Sequence, residues 1–534
     1  MERKPLLKDG SDSEVSDLEK TFDFRRDSDG GINAISVTID KKRTVTSSLA
    51  FAITSCTLGS SFVVGYNTGV LNEPAEVIQD FYNSTYYDRN GEYMSSSLLT
   101  LLWSFTVSIF AIGGMIGGLS GGYVANRYGR KGGLLRNNLL NLIASGLLIA
   151  SKFSKSYEML IAGRFVAGLC SGIDTAIVPL YLSETAPISL RGLAGTFNQL
   201  AICLGILVAQ IIGLEKLLST PDLWPYLLGG TLVPMLFQLL TLPLCVESPS
   251  YLMINKGSEN MAAQALVWLR KDTDVYDEIE EMKAEIEKSK HAEKFHVTDL
   301  FKQQELLTPL IISLVLQLSQ QFSGINAVIY YSTLIFESAG LSESNAQYAT
   351  LGTGAVNVLM TFVSANIMDK VGRRTLHLFG LGGMLVFSII LSVALIFQDD
   401  ASWLSYVSII AVMAYIVSFA TGPGSIPWFY VAELFAQGPR SAAVSLSVLT
   451  NWLANFTVGV SYPEIQKEIT NYSFLPFVVM LVFFWLFTFF KVPETKGKTI
   501  DEITSSFKTD KIKQIQSLDT DGYQRLKEED GGYS

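Results

Sequence analysis

Amide side chains are the most prominent polar groups inside the long apolar stretches of this sequence. Gln317, Gln320 and Gln321 are spaced i, i+3, i+4, so on a helix they share one face. Each amide offers a donor and an acceptor, as a pair of sugar hydroxyls requires, and an aromatic ring can cover the apolar face of a sugar. Fixed counter-charge for an ionic substrate is not expected beside them. The pattern indicates a site for an uncharged, multiply hydroxylated ligand; the alternative for any single amide is that it joins neighbouring helices.

A helix-breaking cluster interrupts another apolar stretch. Glycine and proline alternate at Gly422, Pro423 and Gly424, and Pro427 and Trp428 follow. Each proline removes an intrahelical hydrogen bond, and a broken helix is tolerated at membrane depth where it lines a protein or water-filled cavity. We predict a hinge whose adjoining Trp428 closes over a bound ring. The alternative is a static packing kink.

Three loops of the first half of the chain recur in the second half. The pairs are NRYGRKGG (126–133) with DKVGRRTL (369–376), YLSETAPISLR (181–191) with YVAELFAQGPR (430–440), and VESPS (246–250) with VPETKG (492–497). Their displacements are 243, 249 and 247 residues. Three loops that agree on nearly one displacement indicate a parallel duplication of a six-helix unit.

Charged residues occupy corresponding positions in the repeated loops. They are Arg130, Lys131, Glu184, Arg191 and Glu247, repeated as Arg373, Arg374, Glu433, Arg440 and Glu494. We predict that Glu–Arg pairs join helices within each half and close the inner side of the protein; the alternative is that the basic residues only fix the topology. Such pairs are weak singly, but a network formed in one state biases a two-state equilibrium.

The elements that must position these residues are apolar helices. The 534 residues are 49% hydrophobic and only 17% charged, against about a quarter charged in soluble domains. Stretches of about 20 apolar residues are long enough to cross a bilayer. Twelve such stretches begin near residues 47, 98, 133, 157, 193, 224, 306, 346, 375, 403, 441 and 473. The sequence therefore predicts an all-α polytopic membrane protein.

The domain boundaries follow from the repeat and the apolar stretches. We predict a disordered tail, a six-helix half, a charged linker with helices, a second six-helix half and a second tail, at residues 1–46, 47–245, 246–305, 306–491 and 492–534.

The distribution of basic residues predicts the orientation. Loops on the side of the N-terminus contain 17 Lys and Arg residues, and loops on the other side contain 5. The positive-inside rule then places both termini in the cytoplasm, and we expect a plasma-membrane protein. Asn83, in the first outer loop, starts an Asn-Ser-Thr acceptor for N-glycosylation. Leu6-Leu7 and Tyr523-Gln524-Arg525-Leu526 match patterns read by clathrin adaptors, which predicts an endosomal pool as well.

Catalysis, cofactors, metals and nucleic acid are not expected. The histidines at 291, 296 and 377 lie outside the apolar stretches or at the edge of one, so no metal or His-based catalysis within the membrane is predicted. Gly497-Lys498-Thr499 resembles the end of a phosphate-binding loop, but Val492 replaces its required glycine. The glycine-rich segment 113–122 indicates close helix packing instead.

Several longer motifs resemble one family. They are GRF (163–165), QLSQQFSGIN (317–326), GPGSIPWF (422–429) and PETKG (493–497). Residues 47–508 resemble the sugar porter family of the major facilitator superfamily, and more narrowly the class I facilitative glucose transporters of animals. The chain departs from the family's pattern at Val246, Ser250 and Ala420, where Pro, Arg and Glu are usual.

The resemblance implies the fold and the site. It implies twelve helices in two pseudo-symmetric halves, with D-glucose or a related hexose as substrate and Gln317-Leu318-Ser319 as the motif associated with glucose over fructose. The implied hexose ligands are Gln199, Gln320, Gln321, Asn326, Asn357, Trp428, Asn451 and Asn455.

The energy source is predicted from one position in the first apolar stretch. Asn67 stands where proton-coupled members of the family have aspartate, and an amide does not titrate. No other Asp, Glu or His is expected deep in the apolar stretches. Facilitative uniport is therefore predicted; the alternatives are a proton-coupled symporter and a sugar sensor that does not transport.

Overall fold

A computed structural model describes residues 18–22, 37–41, 45–187, 190–290, 298–398, 400–435, 437–496, 498, 502–503 and 507. The predicted tail motifs at Leu6, Leu7, Tyr523 and Leu526, and the histidines at 291 and 296, lie outside these residues. Residues 1–46 were predicted to form a disordered tail; two short antiparallel strands lie within them, β1 (Leu18–Phe22) and β2 (Val37–Lys41), with Leu18 opposite Lys41.

Six helical segments form the first half. They are α1 (Ser47–Gly69), α2 (Ser96–Tyr128), α3 (Arg130–Phe153), α4 (Tyr157–Thr185), α5 (Arg191–Ile212) and α6 (Trp224–Leu244). A π-helical turn, Thr57–Ser61, lies within α1. The loop between α1 and α2 contains a further helix, Ala75–Asn90.

Six more segments form the second half. They are α7, α8 (Glu343–Val371), α9 (Arg373–Ile396), α10, α11 (Gln437–Ile469) and α12 (Leu475–Lys491). Two of them are broken: α7 consists of Gln304–Phe322 and Ile325–Ser338, and α10 of Leu404–Thr421 and Ile426–Leu434. The linker between the halves contains helices Pro249–Ile254, Glu259–Arg270, Tyr276–Lys290 and Asp299–Lys302.

The twelve predicted apolar stretches all coincide with these segments, which confirms the fold class. Among the described residues, ten segments are long and apolar enough to cross a membrane; α12 has only 17 residues, and α8 is long enough but more polar. The polar residues of α8 are explained by burial within the protein, since Gln347, Thr350 and Thr353 are all buried.

The glycine-rich segment of α2 packs closely against α4, as the sequence predicts. A Cβ atom on Gly113 would lie 2.2 Å from the carbonyl oxygen of Phe165, and one on Gly168 would lie 2.0 Å from that of Phe110. Any side chain at these two positions would force the backbones apart. The halves meet where α2 packs against α11 and where α5 packs against α8.

Candidate functional site

The amide stripe of α7 forms one hydrogen-bonded network with α11. Asn451 lies at its centre: its Nδ2 donates to the Oε1 atoms of Gln317 and Gln320, at 2.7 and 2.8 Å. Its Oδ1 accepts from Gln321 Nε2 at 2.9 Å. Asn326 Nδ2 donates to Gln321 Oε1, and all five side chains are buried. Five of the predicted residues are therefore assembled into one neutral cluster of donors and acceptors.

The break in α10 supplies the remaining partners of this network. Gln320 Nε2 donates to the carbonyl oxygens of Pro423 and Gly424, at 2.8 and 2.9 Å. Gln317 Nε2 donates to Pro427 O at 3.1 Å. Pro427 has no N–H to donate to Pro423 O, and Trp428 N donates to Ser425 O instead of Gly424 O, so the break leaves these two carbonyls free for Gln320. The network therefore joins α7 directly to the predicted hinge.

The hinge packs tightly against α9. Gly422 has φ −137° and ψ −73°, outside the helical range. A Cβ atom there would lie 2.3 Å from Leu376 O, so only glycine allows this approach of the two backbones. Ala420, where the resemblance predicts glutamate, is buried near the end of the first α10 segment, and Trp428 is 39% exposed just after the break.

The other implied ligands lie at two further places. Gln199 on α5 donates to Cys203 Sγ at 3.7 Å, and Cys203 contacts Thr361 Oγ1 at 3.3 Å. Thr361 in turn donates to the backbone carbonyl of Asn357, so Gln199 and Asn357 lie along the seam of α5 and α8. Asn455 accepts from the hydroxyl of Tyr330 at 3.0 Å. In the motif associated with glucose selectivity, Leu318 is partly buried against the core and Ser319 is fully buried.

The sequence-based expectation that no further ionisable group lies deep in the spans is wrong. Asp174, in α4, is 4% exposed, and its Oδ1 has no hydrogen-bond partner among the described residues. Its neighbours Ser60, Asn137 and Cys170 all belong to the first half, whereas the amide network belongs to the second. His377, which was predicted to lie outside a span or at its edge, lies within α9 and is 1% exposed.

Arg164 is a second charged residue that is buried within a span. It is 1% exposed, its Nη1 donates to the backbone carbonyl of Asn67 at 2.9 Å, and its guanidinium lies 4.7 Å from the ring of Phe110. The sequence of α4 contains both Arg164 and Asp174, and a charged residue within an apolar stretch by itself indicates a buried functional group. Asn67 is also buried, and its Nδ2 has no partner among the described residues.

The charged loops of the two halves have the same geometry. In the first half Arg130 Nη2 lies 2.7 Å from Glu184, and Glu247 accepts from the backbone amides of Arg130 and Lys131, both at 2.9 Å. In the second half Arg373 Nε lies 3.1 Å from Glu433, and Glu494 accepts from the amide of Arg373 at 2.9 Å.

Two glycines make this geometry attainable. Gly129 and Gly372 have φ of 86° and 106°, and a Cβ atom on either would lie within 3 Å of the carboxylate of Glu247 or Glu494. The turn between the helices therefore requires glycine for both its backbone conformation and its space.

The arginines that follow the glutamates in sequence are not their partners. Arg440 Nε donates to the carbonyl of Phe435 at 3.1 Å, and Arg191 is exposed and forms no ion pair with the described residues. Lys131 Nζ and Arg374 Nη2 each bind backbone carbonyls, those of Cys245 and Phe489, at 2.7 and 2.6 Å. The repeated spacing of glutamate and arginine thus reflects the duplication, while the ion pairs cross to Arg130 and Arg373.

Burial distinguishes the two ion pairs and predicts unequal contributions to stability. The side chains of Arg130 and Glu184 are 10% and 16% exposed, and those of Arg373 and Glu433 are 21% and 29% exposed. Glu184→Gln should therefore lower the free energy of unfolding by more than the ~1 kcal/mol typical of exposed pairs, toward the ~3–5 kcal/mol of buried ones. Glu433→Gln should cost about 1 kcal/mol.

Unfolding of the purified, detergent-solubilised variants tests this order. Glu280→Gln is the control, because the Lys283–Glu280 pair is 43% and 46% exposed and should contribute no measurable stability. Equal losses for Glu184→Gln and Glu433→Gln would contradict the order.

The halves are in contact on the side of the α1–α2 loop. Asn72 Nδ2 donates to Ser332 Oγ at 2.6 Å, and Lys467 Nζ donates to Ser97 Oγ at 3.1 Å. A cavity of about 600 Å³ lies beside these contacts, and Tyr330 is part of its wall. Because Tyr330 also donates to Asn455, the cavity extends to the hydrogen-bond partner of an implied sugar ligand. Asn83 lies on the helix Ala75–Asn90, and its Oδ1 accepts from the amide of Met94 at 2.9 Å.

Twelve helical segments form two equivalent halves, and a neutral polar site lies between the amide stripe of α7 and the broken helix α10. These features define a membrane transporter of the major facilitator fold. Residues 52–507 match the model of the family "Sugar (and other) transporter". The chain belongs to this sugar transporter family.

Curated relatives and solved structures agree with this assignment. The chain is 48% identical over 464 residues to the facilitated glucose transporter member 1 of solute carrier family 2 from Gallus gallus, covering 87% of this chain and 94% of the relative. It is 49% identical over 463 residues to member 3 from Ovis aries, covering 87% and 93%.

Among solved structures, the partially occluded inward-open form of the E. coli xylose transporter is 27% identical with a TM-score of 0.71, covering 85% of this chain and all of that one. The proton:xylose symporter bound to 6-bromo-6-deoxy-D-glucose is 27% identical with a TM-score of 0.72, covering 87% and 100%.

Proposed function

We propose that this protein is a facilitative transporter of D-glucose and related hexoses that works by alternating access. The observation that carries the proposal is the amide network of α7 and α11 bonded directly to the hinge carbonyls of α10. The network offers donors and acceptors without charge, which suits a sugar, and its attachment to a broken helix links occupancy of the site to a mobile element.

Sugar binding would exchange hydrogen bonds rather than add them. Gln320 has all its capacity engaged: its Nε2 binds Pro423 O and Gly424 O, and its Oε1 accepts from Asn451 and Gln321. A hexose hydroxyl that bonds Gln320 must replace one of these partners. We propose that the partners released are the hinge carbonyls, so that the second segment of α10 moves and carries Trp428 toward the ring.

The remaining implied ligands complete the proposed site. Gln199 and Asn357 approach the sugar from the seam of α5 and α8, and Asn455 and Asn326 from the second half. The ion pairs of Arg130 with Glu184 and of Arg373 with Glu433 lie at the inner helix ends and hold each half together while the halves rock. We propose that their loops, with Lys131, Arg191, Arg374 and Arg440, form the inner gate.

Uniport remains the proposal for the energy source, because the position that carries aspartate in proton-coupled relatives is Asn67. The specific observation in favour of symport is Asp174, a carboxyl group buried in a span. It lies among residues of one half only, so rocking of the halves would not alternately expose it. A group that does not alternate between the two sides cannot couple a proton to the sugar.

Proteoliposomes with equal glucose on both sides and an acid-outside pH gradient separate the two mechanisms. We expect exchange of labelled glucose without net accumulation, because an uncoupled carrier only equilibrates its substrate. Accumulation that is lost in Asp174→Asn would establish symport instead. Absence of any hexose exchange would overturn the transport proposal and favour a sensor.

The cellular setting is also a proposal, and it is based on the loop charges, the Asn83 acceptor and the tail motifs. We propose that the protein spans the plasma membrane with both termini in the cytoplasm, that Asn83 carries a glycan, and that the tail motifs engage clathrin adaptors to maintain an endosomal pool. Replacing Leu6, Leu7 and Tyr523 with alanine should then raise the fraction of protein at the cell surface.

A further inference from the structure

His377 contacts Ser319, the last residue of the selectivity motif Gln317-Leu318-Ser319. Its Nε2 lies 3.2 Å from the hydroxyl oxygen of Ser319, and both side chains are 1% exposed or less. Ser319 Oγ also lies 2.7 Å from the carbonyl oxygen of Leu316, an atom that can only accept. A hydroxyl has one proton, and if that proton goes to Leu316, the imidazole must donate to Ser319. This assigns the proton of the neutral ring to Nε2.

The other ring nitrogen supports this assignment. Nδ1 of His377 is buried and has no hydrogen-bond partner among the described residues. If the proton were on Nδ1, a buried N–H donor would be left unsatisfied, which is more costly than an acceptor without a partner. Ser319 is therefore held from two sides, by its own helix and by α9.

The same residue adjoins the hinge. A Cβ atom on Gly422 would lie 3.0 Å from the Cα atom of His377, and one on Gly380, one turn further along α9, would lie 2.2 Å from Pro423 Cδ. The first turns of α9 thus form the surface on which the break of α10 rests. His377 lies where this surface meets the selectivity motif.

We propose that His377 is a positioning residue for hexose selectivity: it fixes Ser319 against α9 and so holds the turn of α7 that carries the selectivity motif in one orientation. Gln317, on the other side of Leu318, is bonded to Pro427 O. The two polar neighbours of Leu318 are therefore each attached to a different element, one to α10 and one to α9. Loss of either attachment lets this turn of α7 rotate. This inference rests on the proposed hexose transport.

Transport of glucose and fructose by reconstituted variants tests the proposal. His377→Leu removes the donor, and we expect the ratio of kcat/KM for fructose to that for glucose to rise by about fivefold or more. His377→Gln places an amide N–H near the position of Nε2 and should keep the ratio within about twofold of the parent. A role limited to stability would lower the amount of folded protein without changing the ratio.

A double-mutant cycle isolates the contact with Ser319. Ser319→Ala alone should change the ratio about as much as His377→Leu, and the double variant should show no further change, because both remove one interaction. Independent, multiplicative effects would overturn the proposal, as would an unchanged ratio in folded His377→Leu. If His377→Leu does not fold, the comparison of His377→Gln with Ser319→Ala decides: equal ratios in those two variants overturn it. Failure of the parent protein to transport glucose would instead refute the proposed function.

Discussion

Gln320→Ala should weaken glucose binding by about 5- to 150-fold, the effect of losing about 1–3 kcal/mol from a buried hydrogen-bonding group. Gln320 joins the amide network of α7 to two carbonyls of the α10 break, those of Pro423 and Gly424. Removing it takes away a sugar ligand and also leaves Pro423 O, Gly424 O and part of Asn451 without their partner. The loss should therefore appear in the dissociation constant and in the rate of hinge movement.

The measurement is equilibrium binding of glucose to the purified protein, followed by exchange in proteoliposomes. Gln398→Ala is a matched control, since Gln398 also uses its amide to join two segments, donating to Asn471 Oδ1 at 3.2 Å, but lies just after α9 and outside the network. An unchanged dissociation constant in Gln320→Ala, or an equal loss in Gln398→Ala, would contradict the assignment of Gln320 as a ligand.

The amide stripe shows how much of the site could be predicted from the sequence. Spacing alone places Gln317, Gln320 and Gln321 on one face, and the structure brings them together. Their bonds to the hinge carbonyls could not be predicted, because backbone acceptors carry no residue type in the sequence. They become free only where a tertiary contact stabilises the break.

The charged loops show what could not be predicted from the sequence, namely the partners of the ion pairs. The repeat identified both glutamates, Glu184 and Glu433, but the arginine at constant spacing in sequence is not the one in contact. Ion-pair partners depend on how helix ends approach one another, and here the G-R turn after α2 and after α8 comes closer than the arginine seven residues on. Asp174 was missed for another reason. The mean hydropathy of the α4 stretch stays apolar despite one carboxylate, and neighbours such as Ser171 and Thr175 make another polar residue there inconspicuous.

The outer contact between the halves contains a carboxyl group that its surroundings keep neutral. Glu73, just after α1, is 8% exposed, and both its carboxylate oxygens lie within 3.5 Å of the hydroxyl of Thr333 on α7. The pKa of Glu73 is raised from its ordinary value of 4.5 to about 8: burial is the main cause, the hydrogen bond from the Thr333 hydroxyl opposes the shift, and the nearby carboxylate of Glu337 adds to it. Glu76, Asp80, Glu343 and Lys467 line the same cavity.

The sign of the pH dependence follows from this raised pKa. Separation of the halves would expose Glu73 to water and return its pKa toward 4.5, so closing the outer side takes up a proton between pH 4.5 and 8. Each decrease of one pH unit within this window should favour the closed form by up to about tenfold, or ~1.4 kcal/mol. Below this window the group is protonated in both forms, and above it the contribution to closure is lost.

A cysteine in the wall of the cavity reports this closure. Leu99 is half-buried in the wall, and in purified Leu99→Cys protein the rate of alkylation by a membrane-impermeant maleimide measures how often the outer side opens. Dividing the rate by that of the Leu99→Cys, Glu73→Gln double variant at each pH cancels the ionisation of the thiol. Because glutamine imitates the protonated acid, the ratio should rise steadily from pH 6 to pH 8.

Glu343→Gln is the matched control, because Glu343 is an exposed carboxylate of the same cavity, and this variant should preserve the rise. A ratio independent of pH would mean that Glu73 does not govern closure, whereas loss of the rise in Glu343→Gln as well would assign it to the acidic cavity as a whole.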